Sequence, residues 1–174
     1  MTRYVALLRG VNVGGITLKM ADLAEVFTTM GLGNVKTVLA SGNVLFDSPQ
    51  AASELKPALE NALSERFGYE AWVHVVELDV IEGIILDFPF DADREGWQPY
   101  VVFVSVDSDA SDLTEIEEAL DPAAECIRQG KGVIYWTVQR GNSLSSDFAR
   151  QVAKARHKSF TTTRNLRTLK KLLS

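Results

Sequence analysis

Cysteine occurs once in this 174-residue chain, at Cys126, which excludes an intramolecular disulfide and a thiolate metal cluster. Histidine occurs twice, at His74 and His157, too few for a histidine-rich metal site. Long apolar runs are also missing. The first one, Tyr4 to Leu8, is broken by Arg9, so the expectation is a cytoplasmic protein with neither signal peptide nor membrane span. Acid is absent from one whole segment: residues 150–174 hold eight Lys or Arg and no Asp or Glu, while the rest of the chain carries all 23 acids. The net charge of -5 therefore hides a basic end on an acidic body, with a second pole at Asp107 to Glu125, where eight carboxylates meet no basic residue. Such an end either docks on the acidic body or offers an anion-attracting surface.

What is present is the patterning of a globular fold, with 46% hydrophobic residues to build a core. Arg3 to Leu8 reads as a buried strand that runs into the glycine-rich stretch Gly10-Val11-Asn12-Val13-Gly14-Gly15. Met20, Leu23, Phe27 and Met30 recur at helical spacing behind Thr17, a candidate N-cap. Asn34 to Ala40 and Val44 to Phe46 predict a hairpin around Ser41-Gly42-Asn43. A helix marked by Leu55, Leu59, Leu63 and Phe67 follows, with Ser53 as N-cap and Pro57 in its first turn, and then a strand, Glu70 to Val76. This is the order β-α-β-β-α-β.

After a connecting helix, Leu78 to Leu86, the same order begins again. Tyr100 to Val106 predicts a strand, Ser111 to Leu120 a helix, and Glu125 to Ile127 with Val133 to Val138 a strand pair around Gln129-Gly130-Lys131-Gly132. Phe148, Val152 and Ala155 stripe the next helix, Ser159 to Thr162 forms a short strand, and Leu166, Leu169 and Leu173 anchor a last helix. The expected fold is α+β, two tandem ferredoxin-like halves with antiparallel sheets: residues 1–86 as the first half with its connecting helix, 87–99 as linker, and 100–174 as the diverged second half.

Three stretches together resemble a bacterial family, domain of unknown function 1697. They are Leu7 to Gly15 followed by Lys19-Met20, then Ser41-Gly42-Asn43-Val44, then Thr162-Thr163-Arg164-Asn165. The resemblance spans nearly the whole chain and implies a two-part α+β fold, without implying an activity. The chain departs from the family twice: Leu166 stands where an aromatic usually follows Arg-Asn, and Ser145-Ser146-Asp147 where a lysine is common.

For chemistry, the glycine-rich loop leads. A strand feeding a helix through glycines exposes backbone N-H groups to an anion, and Arg9 and Lys19 add positive charge. Yet Gly10 and Gly15 are followed by Ile16-Thr17, so the lysine of a nucleotide-binding loop is missing, and the spacing is no dinucleotide fingerprint either. Glycines that merely permit a tight loop are the competing explanation. The predicted topology brings this loop to the hairpin turn, giving the ligand-binding candidates Arg9, Asn12, Gly14, Gly15, Lys19, Ser41 and Asn43. Thr163, Arg164 and Asn165 are a second contributor, or else the N-cap of the last helix.

No catalytic residue, metal or cofactor is assigned, because Ser41 lacks a nucleophile context and neither histidine has a sequence partner. His74 reads as a strand residue, His157 as part of the solvated basic face with Arg156 and Lys158, and Cys126 as a small core hydrophobe. The expected partner is a small phosphate- or carboxylate-bearing ligand. The rival is nucleic-acid binding through the basic residues 150–174; ahead of them, Lys131-Gly132-Val133-Ile134-Tyr135-Trp136 only echoes an RNA-binding strand. A protein-interaction module is the third reading.

Overall fold

The structure, a computed structural model, describes residues 1–10, 17–105, 111–154, 157 and 160–174. The chain divides into two units, Met1–Ile84 with Lys170–Ser174, and Ile85–Leu169. Each holds a four-stranded antiparallel sheet, and six α-helices occur among the described residues.

In the first unit the elements are β1 (Thr2–Leu8), α1 (Met20–Thr29), β2 (Gly33–Thr37), β3 (Asn43–Ser48), α2 (Ala52–Phe67), β4 (Val73–Glu77) and α3 (Leu78–Leu86), which ends just past the unit's boundary. The sheet runs β2-β3-β1-β4. As a central strand, β1 is buried without alternation from Tyr4 to Leu8. Tyr4, Ala6, Leu8, Val44 and Phe46 face α1 and α2 through Leu23, Phe27, Leu55, Leu59 and Leu63. Phe46 stacks on Tyr4 at 5.6 Å and meets Phe27 at 5.5 Å between ring centroids.

Two helix starts differ from the sequence expectation. The N-cap of α1 is Lys19, with no side-chain cap bond, because Thr17 lies too far ahead of Met20 to reach the first-turn N-H groups. Ala51, not Ser53, is the N-cap of α2, which puts Pro57 at the sixth helical residue, in the second turn.

The second unit contains β5 (Trp97–Val104), α4 (Ser111–Glu115), a 3-10 turn (Glu117–Ala119), β6 (Glu125–Gln129), β7 (Val133–Gln139), α5 (Asp147–Val152), β8 (Thr161–Asn165) and the start of α6 (Leu166–Leu172), which runs past the unit's boundary at Leu169. Its sheet order, β6-β7-β5-β8, repeats that of the first. The core joins Val102, Ile134, Trp136, Leu113 and Phe148. Strand β5 starts inside the expected linker and accommodates Pro99. Alternation from Val104, whose N-H bonds to Gly132 on the β7 side, turns Pro99 away from β7, and β8 pairs only as far as Tyr100, so no ladder bond needs the missing N-H. Gly130 is required by packing. A Cβ there would lie 2.6 Å from Cε2 of Tyr135. In α6 the buried leucines are Leu166, Leu169 and Leu172, whereas Leu173 is exposed.

Candidate functional site

The end of β1 is held on both sides by backbone hydrogen bonds. Leu8 N-H donates to the Gly42 carbonyl at 2.9 Å, and Arg9 N-H donates to the Trp72 carbonyl at 3.0 Å. The first bond follows from β1 lying antiparallel to β3 with Leu7 opposite Asn43, and the second from β4 on the other flank. Gly42 takes φ +86°, which turns its carbonyl toward β1 without the penalty a side chain would bring. Three segments therefore converge where Arg9 leaves the sheet. Arg9 is half-buried, and desolvation draws its pKa below the ordinary arginine value.

The hairpin turn is internally braced. Asn43, fully buried, donates from Nδ2 to the Val38 carbonyl and to Ser41 Oγ, both at 2.8 Å, while Val38 N-H donates to the Asn43 carbonyl at 2.8 Å. These bonds express the turn-forming chemistry of Asn and Ser. Ser41 itself is exposed, and Lys19 is exposed at the start of α1. Asn12, Gly14 and Gly15 lie outside the described residues, as do Ala155 and Ser159.

Thr163, Arg164 and Asn165 belong to the other unit and stand in β8, which runs to Asn165 where the sequence reading ended the strand at Thr162. Arg164 is 6% exposed; its Nη1 donates to Thr162 Oγ1 at 2.8 Å and to the Thr163 carbonyl at 3.0 Å. Asn165 Oδ1 accepts from Arg167 N-H at 2.9 Å, as a helix cap does.

The second unit repeats the bonding at the end of its own first strand. Val104 N-H donates to Gly132, again a left-handed glycine at φ +71°, and Ser105 N-H donates to Phe160, both at 3.0 Å. Ser105 thus stands where the first unit has Arg9, without the cation.

The side-chain clusters of the second unit carry little sequence signal. His157 is 1% exposed, not on a solvated face, and its Nε2 lies 2.9 Å from Asp112 Oδ2, which also accepts from Gln151 Nε2 at 3.1 Å. The buried carboxylate of Glu125 accepts from Trp136 Nε1 at 3.0 Å and from Phe148 N-H at 3.4 Å. His74 is buried in β4, and Cys126 is half-buried on the edge strand β6 instead of in the core. Tyr135 and Trp136 are 6% and 3% exposed, so neither offers a face on which a base could stack.

Among the described residues, no group of three or more His, Cys, Asp or Glu is placed to hold a metal ion, and no helix is long and apolar enough to cross a membrane.

No curated protein matches the chain. Among solved structures it is similar to the conserved bacterial protein SP0830 from Streptococcus pneumoniae, with a TM-score of 0.80 and 25% identity over 98% of this chain and 96% of that one. A family model described as protein of unknown function DUF1697 matches residues 1–135. Neither description names an activity, ligand or partner. By this match over most of its length, the chain belongs to the DUF1697 family.

Proposed function

We propose that this protein binds a small phosphate- or carboxylate-bearing ligand where the end of β1 meets the β2–β3 turn, through Arg9, Lys19 and Ser41 together with Asn12, Gly14 and Gly15. Asn43 braces the turn. The observation that supports this reading is the convergence on Arg9: its backbone bonds to Trp72, its neighbour Leu8 bonds to Gly42, and its guanidinium is part-desolvated. A part-desolvated guanidinium attracts an anion more strongly than a solvated one, because less water screens the pair. Thr163, Arg164 and Asn165 are left out, since Arg164 and Asn165 bond within their own segment.

The fold reading behind this site is a tandem of two ferredoxin-like halves that arose by duplication. It is supported by the shared strand order and by the matching bonds at Gly42 and Gly132. Nucleic-acid binding draws no comparable support, because Tyr135, Trp136 and one of the basic residues, Arg164, are buried.

Thermal melting in increasing phosphate, pyrophosphate or acetate tests the proposal. A hundredfold excess over Kd stabilises by about 2.7 kcal/mol, roughly 5–10 °C in a chain of this size. Arg9→Ala is expected to abolish the shift and Arg9→Lys to retain part of it. An equal shift in Arg9→Ala and the wild type overturns the assignment.

A further inference from the structure

Two residues other than glycine have positive φ among the described residues, Asn34 at +46° and Leu39 at +61°. The first has a local explanation: asparagine tolerates the left-handed region, and Asn34 Nδ2 donates to Asp47 Oδ2 at 2.6 Å. Leu39 has no such explanation. A branched, bulky side chain is disfavoured there, and burial does not repay the strain, since Leu39 is 44% exposed. The strain is imposed by the turn, whose residues on either side, Val38 and Ser41, are both tied to Asn43. That turn is in turn fixed to the end of β1 by the bond between Leu8 and Gly42. A leucine is therefore held, at conformational expense, in the turn that is bonded to the end of β1 just before Arg9.

We infer that Leu39 is an apolar contact for the ligand, so that the site takes an organic anion with an apolar body, an aryl or acyl phosphate or carboxylate, in preference to inorganic phosphate. The inference rests on the anion-binding reading of Arg9 and adds the second half of the ligand. Leucine at a strained, exposed position gives up stability that asparagine would keep, and contact with an apolar group accounts for its presence.

Calorimetric titration of the full chain with phenyl phosphate and with inorganic phosphate separates the possibilities. The wild type is expected to bind phenyl phosphate about tenfold more tightly, the order of a partial apolar contact. Leu39→Asn should lose that preference, keep inorganic phosphate binding and melt at a higher temperature; Leu39→Met should keep the preference. An equal affinity for both probes in the wild type, a preference that survives Leu39→Asn, or a lower melting temperature in that variant overturns the role of Leu39 while leaving Arg9 untouched. Failure of the wild type to bind either probe, or binding unchanged by Arg9→Ala, overturns the anion site itself.

Discussion

His157 Nε2 and Asp112 Oδ2 lie 2.9 Å apart across 45 residues of sequence, with the imidazole 1% exposed and the carboxylate shared with Gln151. The pair joins the first turn of α4 to the chain ahead of β8, and Gln151 brings α5 to the same oxygen. Asp112→Ala removes the acceptor and leaves a buried imidazole N without it. The expected loss is about 1–3 kcal/mol of unfolding free energy, and Asp112→Asn, which keeps one acceptor oxygen, should lose less. Urea denaturation with an unchanged m-value checks both; an Asp112→Ala midpoint equal to that of the wild type would show the pair to be energetically silent.

Tyr69 presents the reverse case. Its hydroxyl is buried with no hydrogen-bond partner among the described residues, and burial pushes its pKa above the ordinary tyrosine value. The ring packs against the core of the first unit. Tyr69→Phe keeps the ring and removes an unsatisfied group, so stability should rise by about 1 kcal/mol. Melting temperature reads this directly, and a fall would mean that the hydroxyl has a partner.

The architecture was legible because short apolar strand runs, glycine turns and helically spaced apolar residues recur in the same order in both halves. Leu78 to Leu86 is α3 to the residue, and the order of strands and helices in each unit follows from apolar runs, glycine and helical spacing. The adjacency of β1 and the turn at Gly42 follows from element order as well. Long-range polar pairs were not legible, since nothing in the sequence near Asp112 points to His157. Flanking Arg156 and Lys158 suggested solvent, yet one residue of a charged run can turn inward when a carboxylate waits there. Nor does composition reveal that Leu39 takes a left-handed conformation, because leucine is not a turn former.

Acid should weaken the first unit through Asp47. Its carboxylate accepts from Asn34 Nδ2 at 2.6 Å and from Arg3 Nη1 at 3.2 Å, and chiefly the first bond, then the arginine, holds its pKa below the usual carboxylate value. A depressed pKa in the folded state means that the unfolded chain binds the proton first. The contribution is therefore complete above the unfolded value of about 3.9 and disappears as pH falls through the lower folded value. Comparing wild type with Asp47→Asn across pH 2 to 7 should show a stability gap that is constant near neutrality and narrows below about pH 4. A gap independent of pH would rule out a role for the charge.

At Val73 the outer edge of β4 is closed by side chains of α2. Glu60 Oε2 accepts from Val73 N-H at 3.0 Å, Lys56 Nζ donates to the Val73 carbonyl at 2.9 Å, and the two side chains pair with each other at 2.8 Å. An edge strand otherwise offers these groups to another chain. The two truncations should differ in size, because an orphaned N-H is tolerated less well than an under-used carbonyl, which keeps a second lone pair for other donors. Glu60→Ala is expected to cost about 1–3 kcal/mol and Lys56→Ala less, with hydrogen exchange at the Val73 amide accelerated in the first variant alone. If both variants unfold at the same denaturant concentration as the wild type and Val73 exchange is unchanged, then water closes this edge as well as the side chains do.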